Sequence, residues 1–86
     1  MASDQLWVVA ACFNESLVIT QFIERVLAQP EANHLLLIDD GSSDATVAVV
    51  RAWQHTHRGA PVTLLELTRN FGKEAAMLAG LDFADG

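Results

Sequence analysis

Three short groups of residues carry most of the chemistry available to this chain. They are Phe13-Asn14-Glu15, Asp39-Asp40-Gly41-Ser42 and Arg69-Asn70-Phe71-Gly72-Lys73, and each follows an apolar run. The acid pair is the sharpest signal. Two adjacent carboxylates ending a run built for burial are costly unless something binds them. A divalent cation, a ligand's N–H groups or a ribose could each do so. Phe13 offers an aromatic surface to a base. Arg69 and Lys73 can neutralise phosphate, helped by backbone N–H groups where the following helix begins. Together the groups suit a charged, partly aromatic ligand such as a nucleotide diphosphate.

That chemistry requires the three groups to share one rim, and the intervening pattern supplies a way. Residues 6–12 form a near-continuous apolar run, as expected of a strand covered on both faces. Asn14 is placed to cap a helix in which Val18, Ile19, Phe22, Ile23, Val26 and Leu27 recur at helical spacing, and Pro30 stops it. Residues 34–39 read as a second strand. Ser42 or Ser43 can cap the next helix, with Asp44 in its first turn and Val47, Val50 and Trp53 on its inner face. Residues 62–67 read as a third strand and 73–84 as a helix with Ala75, Met77, Leu78 and Leu81 inward. Alternating strands and helices predict an α/β domain, a three-layer, Rossmann-like parallel sheet with right-handed crossovers and strand order 3-2-1. In such a sheet ligands bind beyond the carboxyl ends of the strands, where all three groups fall.

Composition narrows the classes. With 86 residues, 51% of them hydrophobic, the chain is globular and forms one small domain. A net charge of −6 argues against a polyanion such as DNA or RNA as partner, whereas one nucleotide remains compatible if a cation bridges it to the acids. Cys12 is the sole cysteine, so neither an internal disulfide nor a cysteine metal cluster is available. The first five residues lack the basic region of a signal peptide, and no apolar stretch approaches the roughly 20 residues of a membrane helix.

Plainer readings compete at several positions. Asp-Gly-Ser also suits a simple strand-to-helix turn. Glu15 could be only a helix-start acid, and Arg69 and Lys73 solvated bases. His55 and His57, two apart on a helix, point to different sides and read as solvated polar residues rather than a metal pair. His34, Cys12, Trp7 and Trp53 read as structural.

The motifs Val8-Val9-Ala10-Ala11-Cys12-Phe13-Asn14-Glu15, Ile38-Asp39-Asp40-Gly41-Ser42-Ser43-Asp44 and Arg69-Asn70-Phe71-Gly72-Lys73-Glu74-Ala75-Ala76 resemble, in order and spacing, the opening of inverting family 2 glycosyltransferases of the GT-A fold. The subgroup they resemble is the polyprenyl- or dolichyl-phosphate sugar synthases. The resemblance implies that Ala11, Phe13 and Glu15 contact the nucleoside of a UDP- or GDP-linked sugar. It implies that Asp40 and Asp39 hold its base or ribose, and that Arg69 and Lys73 lie near the diphosphate. It further implies a lipid-phosphate acceptor and a cytoplasmic location, or one on the cytoplasmic face of the membrane. Proline usual at position 11 and tyrosine usual at 13 are here Ala11 and Phe13. The family's Asp-x-Asp motif for Mg2+ or Mn2+ follows a fourth strand and is not found in this sequence; Asp82 and Asp85 lack its strand-end setting. Residues 1–86 are therefore expected to be the donor-binding portion of a longer domain, truncated before the fourth strand, with neither catalytic nor metal-binding residues of its own.

Two other readings differ in class. One is a non-catalytic fragment that binds nucleotide weakly or serves only as a folding or interaction unit. The other, a phospho-acceptor signalling domain, expects its acid pair after the first strand and an aspartate after the third, where Thr68-Arg69-Asn70 stands instead. If a fourth strand is missing beside the first, residues 6–12 present an open apolar edge that invites self-association. Light scattering at high concentration is then expected to detect dimers or larger species, and a clean monomer contradicts the open-edge expectation.

Overall fold

A computed structural model describes residues 6–85. Residues 1–5 and Gly86 lie outside the described part, and with them the reading of the amino terminus. The order of elements is β1 (Trp7–Cys12), α1 (Ile19–Leu27), β2 (His34–Asp39), α2 (Thr46–Thr56), β3 (Val62–Glu66) and α3 (Lys73–Asp85). The strands form one parallel sheet with β2 between β1 and β3, the adjacency expected from the sequence. In register, Trp7 pairs with His34 and Cys12 with Asp39, while Leu35 pairs with Val62 and Asp39 with Glu66. All three groups of chemical interest therefore leave the same end of the sheet.

Leu35, Leu36, Leu37 and Ile38 are fully buried because the central strand is covered on both faces. Successive side chains alternate between faces. Leu35 and Leu37 join Cys12, Ile19, Ile23, Val50, Trp53 and Val62 on the side of α1 and α2. Leu36 and Ile38 join Ala76 on the side of α3, with Val9, Ala11, Leu65 and Met77 around them. Trp53 also donates from its indole nitrogen to Glu24 of α1 (3.3 Å), and Trp7 stacks on His34 at 4.2 Å. His57 caps the end of α2, stacked on Trp53.

The helix ends depart from the sequence expectations. Val18, not Asn14, occupies the cap of α1, and the Glu15 carbonyl accepts from the Val18 and Ile19 N–H groups. Ala45, not Ser42 or Ser43, occupies the cap of α2. Asp44 precedes that helix and accepts from the Thr46 N–H at 2.9 Å. The Asn14 side chain accepts from the Ser43 N–H instead, and the Ser42 hydroxyl donates to Asp39 and accepts from the Asn14 N–H. On α1, Val18 and Phe22 remain partly exposed, and Ile19 and Ile23 supply the buried face.

The inner face of α3 also differs. Ala76 and Gly80 face the sheet, whereas Ala75, Leu78 and Leu81 are exposed. The cause is distance. A Cβ on Gly80 would stand 2.4 Å from Ile38 Cδ1 and 3.1 Å from Val9 Cγ1, so a helix this close admits only small residues one turn apart. Leucines are the stronger hydrophobic signal in sequence, but here they cannot fit beneath the helix. Replacing Gly80 by Val is expected to destabilise the fold by about 1–3 kcal/mol. Leu78→Ala should stay within about 0.5 kcal/mol, since it changes an exposed side chain. Urea denaturation of both variants checks the assignment, and the reverse ranking overturns it.

Candidate functional site

The loop after β2 is built around its two acids. Asp39 and Asp40 are 2% and 3% exposed, so their oxygens need donors from the protein. Asp39 turns back on its own loop, accepting from the N–H of Ser42 at 3.0 Å and from the Ser42 hydroxyl. Asp40 reaches across to the loop after β3. Its Oδ1 accepts from the Phe71 N–H (2.9 Å), and its Oδ2 from the Gly72 N–H (3.1 Å) and the Asn70 amide (3.2 Å). The Asn70 amide also donates to the Asp40 carbonyl at 3.1 Å. Between loop and neighbour stands Gly41, with φ +72°, where a Cβ would lie 2.2 Å from the Arg69 carbonyl carbon. Only glycine accepts both that backbone conformation and that approach.

The loop after β1 is tied to the same centre. Asn14, at φ 52°, aims its Oδ1 at the N–H groups of Ser43 (2.8 Å) and Asp44 (3.2 Å). In return the Asn14 N–H donates to Ser42 Oγ at 2.9 Å and the Glu15 N–H to Thr46 Oγ1 at 2.8 Å. The Ser16 N–H donates more weakly to Asp44 Oδ2 at 3.4 Å. The Thr46 hydroxyl donates to Asp44, and this bond first, then the N–H donors, holds the Asp44 carboxyl below its ordinary range. Cys12 lies buried beneath, its thiol 3.9 Å from Asp39 Oδ1. Burial, then the Asp39 and Glu15 charges, pushes that thiol up to about 12, so it is not an activated nucleophile.

Where the three loops meet is a cleft of about 180 Å3 lined by Ala11, Cys12, Phe13, Glu15, Asp40 and Lys73. Two wider depressions, each of about 460 Å3, surround Leu17 and Val18 or follow residues 71–75. The smaller cleft alone joins all three strand ends. It brings together Ala11, Phe13, Glu15, Asp40 and Lys73 of the residues singled out from sequence. Asp39 is not on its wall, being turned into its own loop, and Arg69 is also absent from it, its guanidinium lying 4.8 Å from the Phe71 ring centre. Thr46 was not singled out from sequence, and Asn14, Gly41 and Asn70, though within the three groups, were given no part in joining the loops. Gly41 carried a signal, since a glycine directly after buried acids marks a tight approach.

The arrangement limits the available chemistry. The Phe71 and Gly72 N–H groups, just ahead of α3, are already given to Asp40. A phosphate here would therefore depend on the Lys73 side chain more than on those amides. Most acceptor positions of the acid pair are already taken by the protein's own N–H and O–H donors. Among the described residues no group of three His, Cys, Asp or Glu side chains could hold a metal. Nor, among the described residues, is any helix long and apolar enough to cross a membrane.

An open parallel sheet with a cleft at the carboxyl ends of its strands is the arrangement in which α/β domains commonly hold ligands. The pattern of Glycosyl transferase family 2 matches residues 7–86, and the chain belongs to that family. It is 41% identical over 86 residues to the dodecaprenyl-phosphate galacturonate synthase of Rhizobium johnstonii, covering 95% of this chain and 25% of that protein. It is 39% identical over 82 residues to the bactoprenol glucosyl transferase of Shigella phage SfV, covering 91% and 26%. A mannosyltransferase from Pyrobaculum calidifontis, solved with GDP-Man and Mn2+, superposes with a TM-score of 0.81 at 28% identity, covering 90% of this chain and 23% of that one. The fold is thus that of GT-A glycosyltransferases, and the chain spans about a quarter of the length of these relatives.

Asn14 gives a direct check on how the loops are joined. Asn14→Ala removes the acceptor for Ser43 and Asp44 and leaves a Cβ at positive φ, so it should lower stability by about 1–3 kcal/mol. Asn14→Gly removes the same acceptor but relaxes the backbone, and should be milder. Equal losses in denaturant titrations would show that the backbone conformation at position 14 contributes nothing.

Proposed function

We propose that this chain is the nucleotide-sugar-binding portion of a glycosyltransferase that passes a sugar from a UDP- or GDP-linked donor to a polyprenyl phosphate with inversion. The observation that carries this reading is the convergence of Ala11, Phe13, Glu15, Asp40 and Lys73 on one strand-end cleft. Family membership and relatives named for dodecaprenyl phosphate and bactoprenol support the reaction class. Small-molecule pockets commonly occupy about 300–1,000 Å3, so this cleft suits one end of a nucleotide. Phe13 and Ala11 would flank the base, Glu15 and Asp40 would accept from the nucleoside, and Lys73 would face the diphosphate. Arg69 would join it after leaving Phe71, and Asp39 would act from behind through the Ser42 turn.

In the whole protein, an oxygen of the acceptor phosphate would attack the anomeric carbon as the bond to the nucleotide diphosphate breaks. That oxygen is already a nucleophile and needs little help from a base. A divalent cation, Mg2+ or Mn2+, would neutralise the departing diphosphate and would be held by residues outside those described. The setting would be the cytoplasm or the cytoplasmic face of a membrane.

Titration of the chain with UDP and GDP, with and without Mn2+, tests the donor site. Binding is expected at micromolar to millimolar nucleotide, with Lys73→Ala weakening it about tenfold through loss of a charge-assisted contact. No binding at millimolar nucleotide would favour the alternative of a folding or interaction unit, for which the open edge of β1 would be the contact surface.

A further inference from the structure

We propose that Asp40 is a positioning residue: its carboxylate latches the loop after β3 and so sets where Lys73 stands in the cleft. The significance of the cleft rests on the donor-site reading above, while the latch stands on geometry alone. A carboxylate has about four acceptor positions. Three of those on Asp40 are filled from consecutive residues, by the Asn70 amide and the Phe71 and Gly72 N–H groups. One position remains for the nucleoside contact proposed above, so the latch and that contact are compatible. Through the other three, Asp40 supplies the protein's own anion to the amides ahead of α3, a place that favours negative charge. Lys73 is the next residue and the first of α3, so its backbone is placed directly by that latch.

Gly41 is the second half of the device. Without a Cβ it lets the Arg69–Asn70 backbone approach the central loop closely enough for Asp40 to reach its donors. Asn70 is the third, bonding both the Asp40 carbonyl and its side chain. The three act on one loop from different atoms, which makes positioning separable from direct contact with a ligand.

Amide hydrogen exchange and the Lys73 side-chain resonances, followed by NMR on the full 86-residue chain, test the latch without any ligand. In Asp40→Asn, one amide oxygen replaces two carboxylate oxygens. Phe71 and Gly72 should then exchange at least about tenfold faster while Leu36 and Ile38 in β2 stay protected. The Lys73 resonances should move. Gly41→Ala keeps the carboxylate intact yet should produce the same two changes. Asn70→Ala, at an exposed position that should leave folding intact, should accelerate Phe71 and Gly72 by about threefold. Unchanged exchange at Phe71 and Gly72 in these variants overturns the proposal, as does faster exchange with Lys73 undisturbed. UDP and GDP affinity is read separately: failure of the unaltered chain to bind either nucleotide defeats the donor-site reading and leaves the exchange result to decide the latch. If nucleotide binds, an Asp40→Asn loss of affinity with no change in exchange leaves Asp40 as a ligand contact only and overturns the positioning role.

Discussion

Two buried carboxylates side by side at the end of β2 are the constraint around which the rim of this domain is organised. Neither can lose its hydration without donors, and the neighbouring chain supplies them in two directions. Asp39 folds its own loop by taking the Ser42 N–H and hydroxyl, while Asp40 takes its donors from residues 70–72. On the other flank, Asn14, Ser42, Asp44 and Thr46 exchange bonds between the first and second loops. The three strand-end loops consequently form one hydrogen-bonded unit centred on β2. Such a unit would present a ligand with walls already in place and would reduce the ordering that binding requires.

Beneath the rim, the sheet sets the spacing. β2 is buried on both faces, and α3 approaches it through Ala76 and Gly80. That close approach brings the first residue of α3, Lys73, to the same cleft as Ala11 and Phe13 of the first strand end. It also turns Leu78, Leu81 and Phe83 outward, giving α3 an apolar outer face as well as an inner one. A small contact on one side and large side chains on the other come from a single choice of helix rotation.

Much of the fold was legible because it depends on local pattern. The bounds of β2 followed from a continuous apolar run ending in acids, and the start of α3 from the Phe-Gly break before Lys73. Strand adjacency followed from the alternation of strands and helices. The caps were not legible, because Asn14 and Ser42 are good capping residues in isolation, yet Asn14 is taken by the second loop and Ser42 by Asp39 and the Asn14 N–H. The inner face of α3 was legible only at Met77, which packs on the sheet: hydrophobicity favours the leucines, whereas proximity to Ile38 and Val9 requires Ala76 and Gly80.

The candidate site divides in the same way. The sequence by itself determined the residue types at each strand end, the parallel sheet that gathers them, and the burial of the acid pair, since all three follow from periodicity and polarity along the chain. Only the tertiary structure decided which atoms meet. It turned Asp39 into its own loop, gave the amides before α3 to Asp40, and set Arg69 over Phe71 rather than on the cleft wall. Hydrogen-bond partners about 30 residues apart depend on the distance between loops, and that distance is set by packing across the sheet rather than by the residues nearby in sequence.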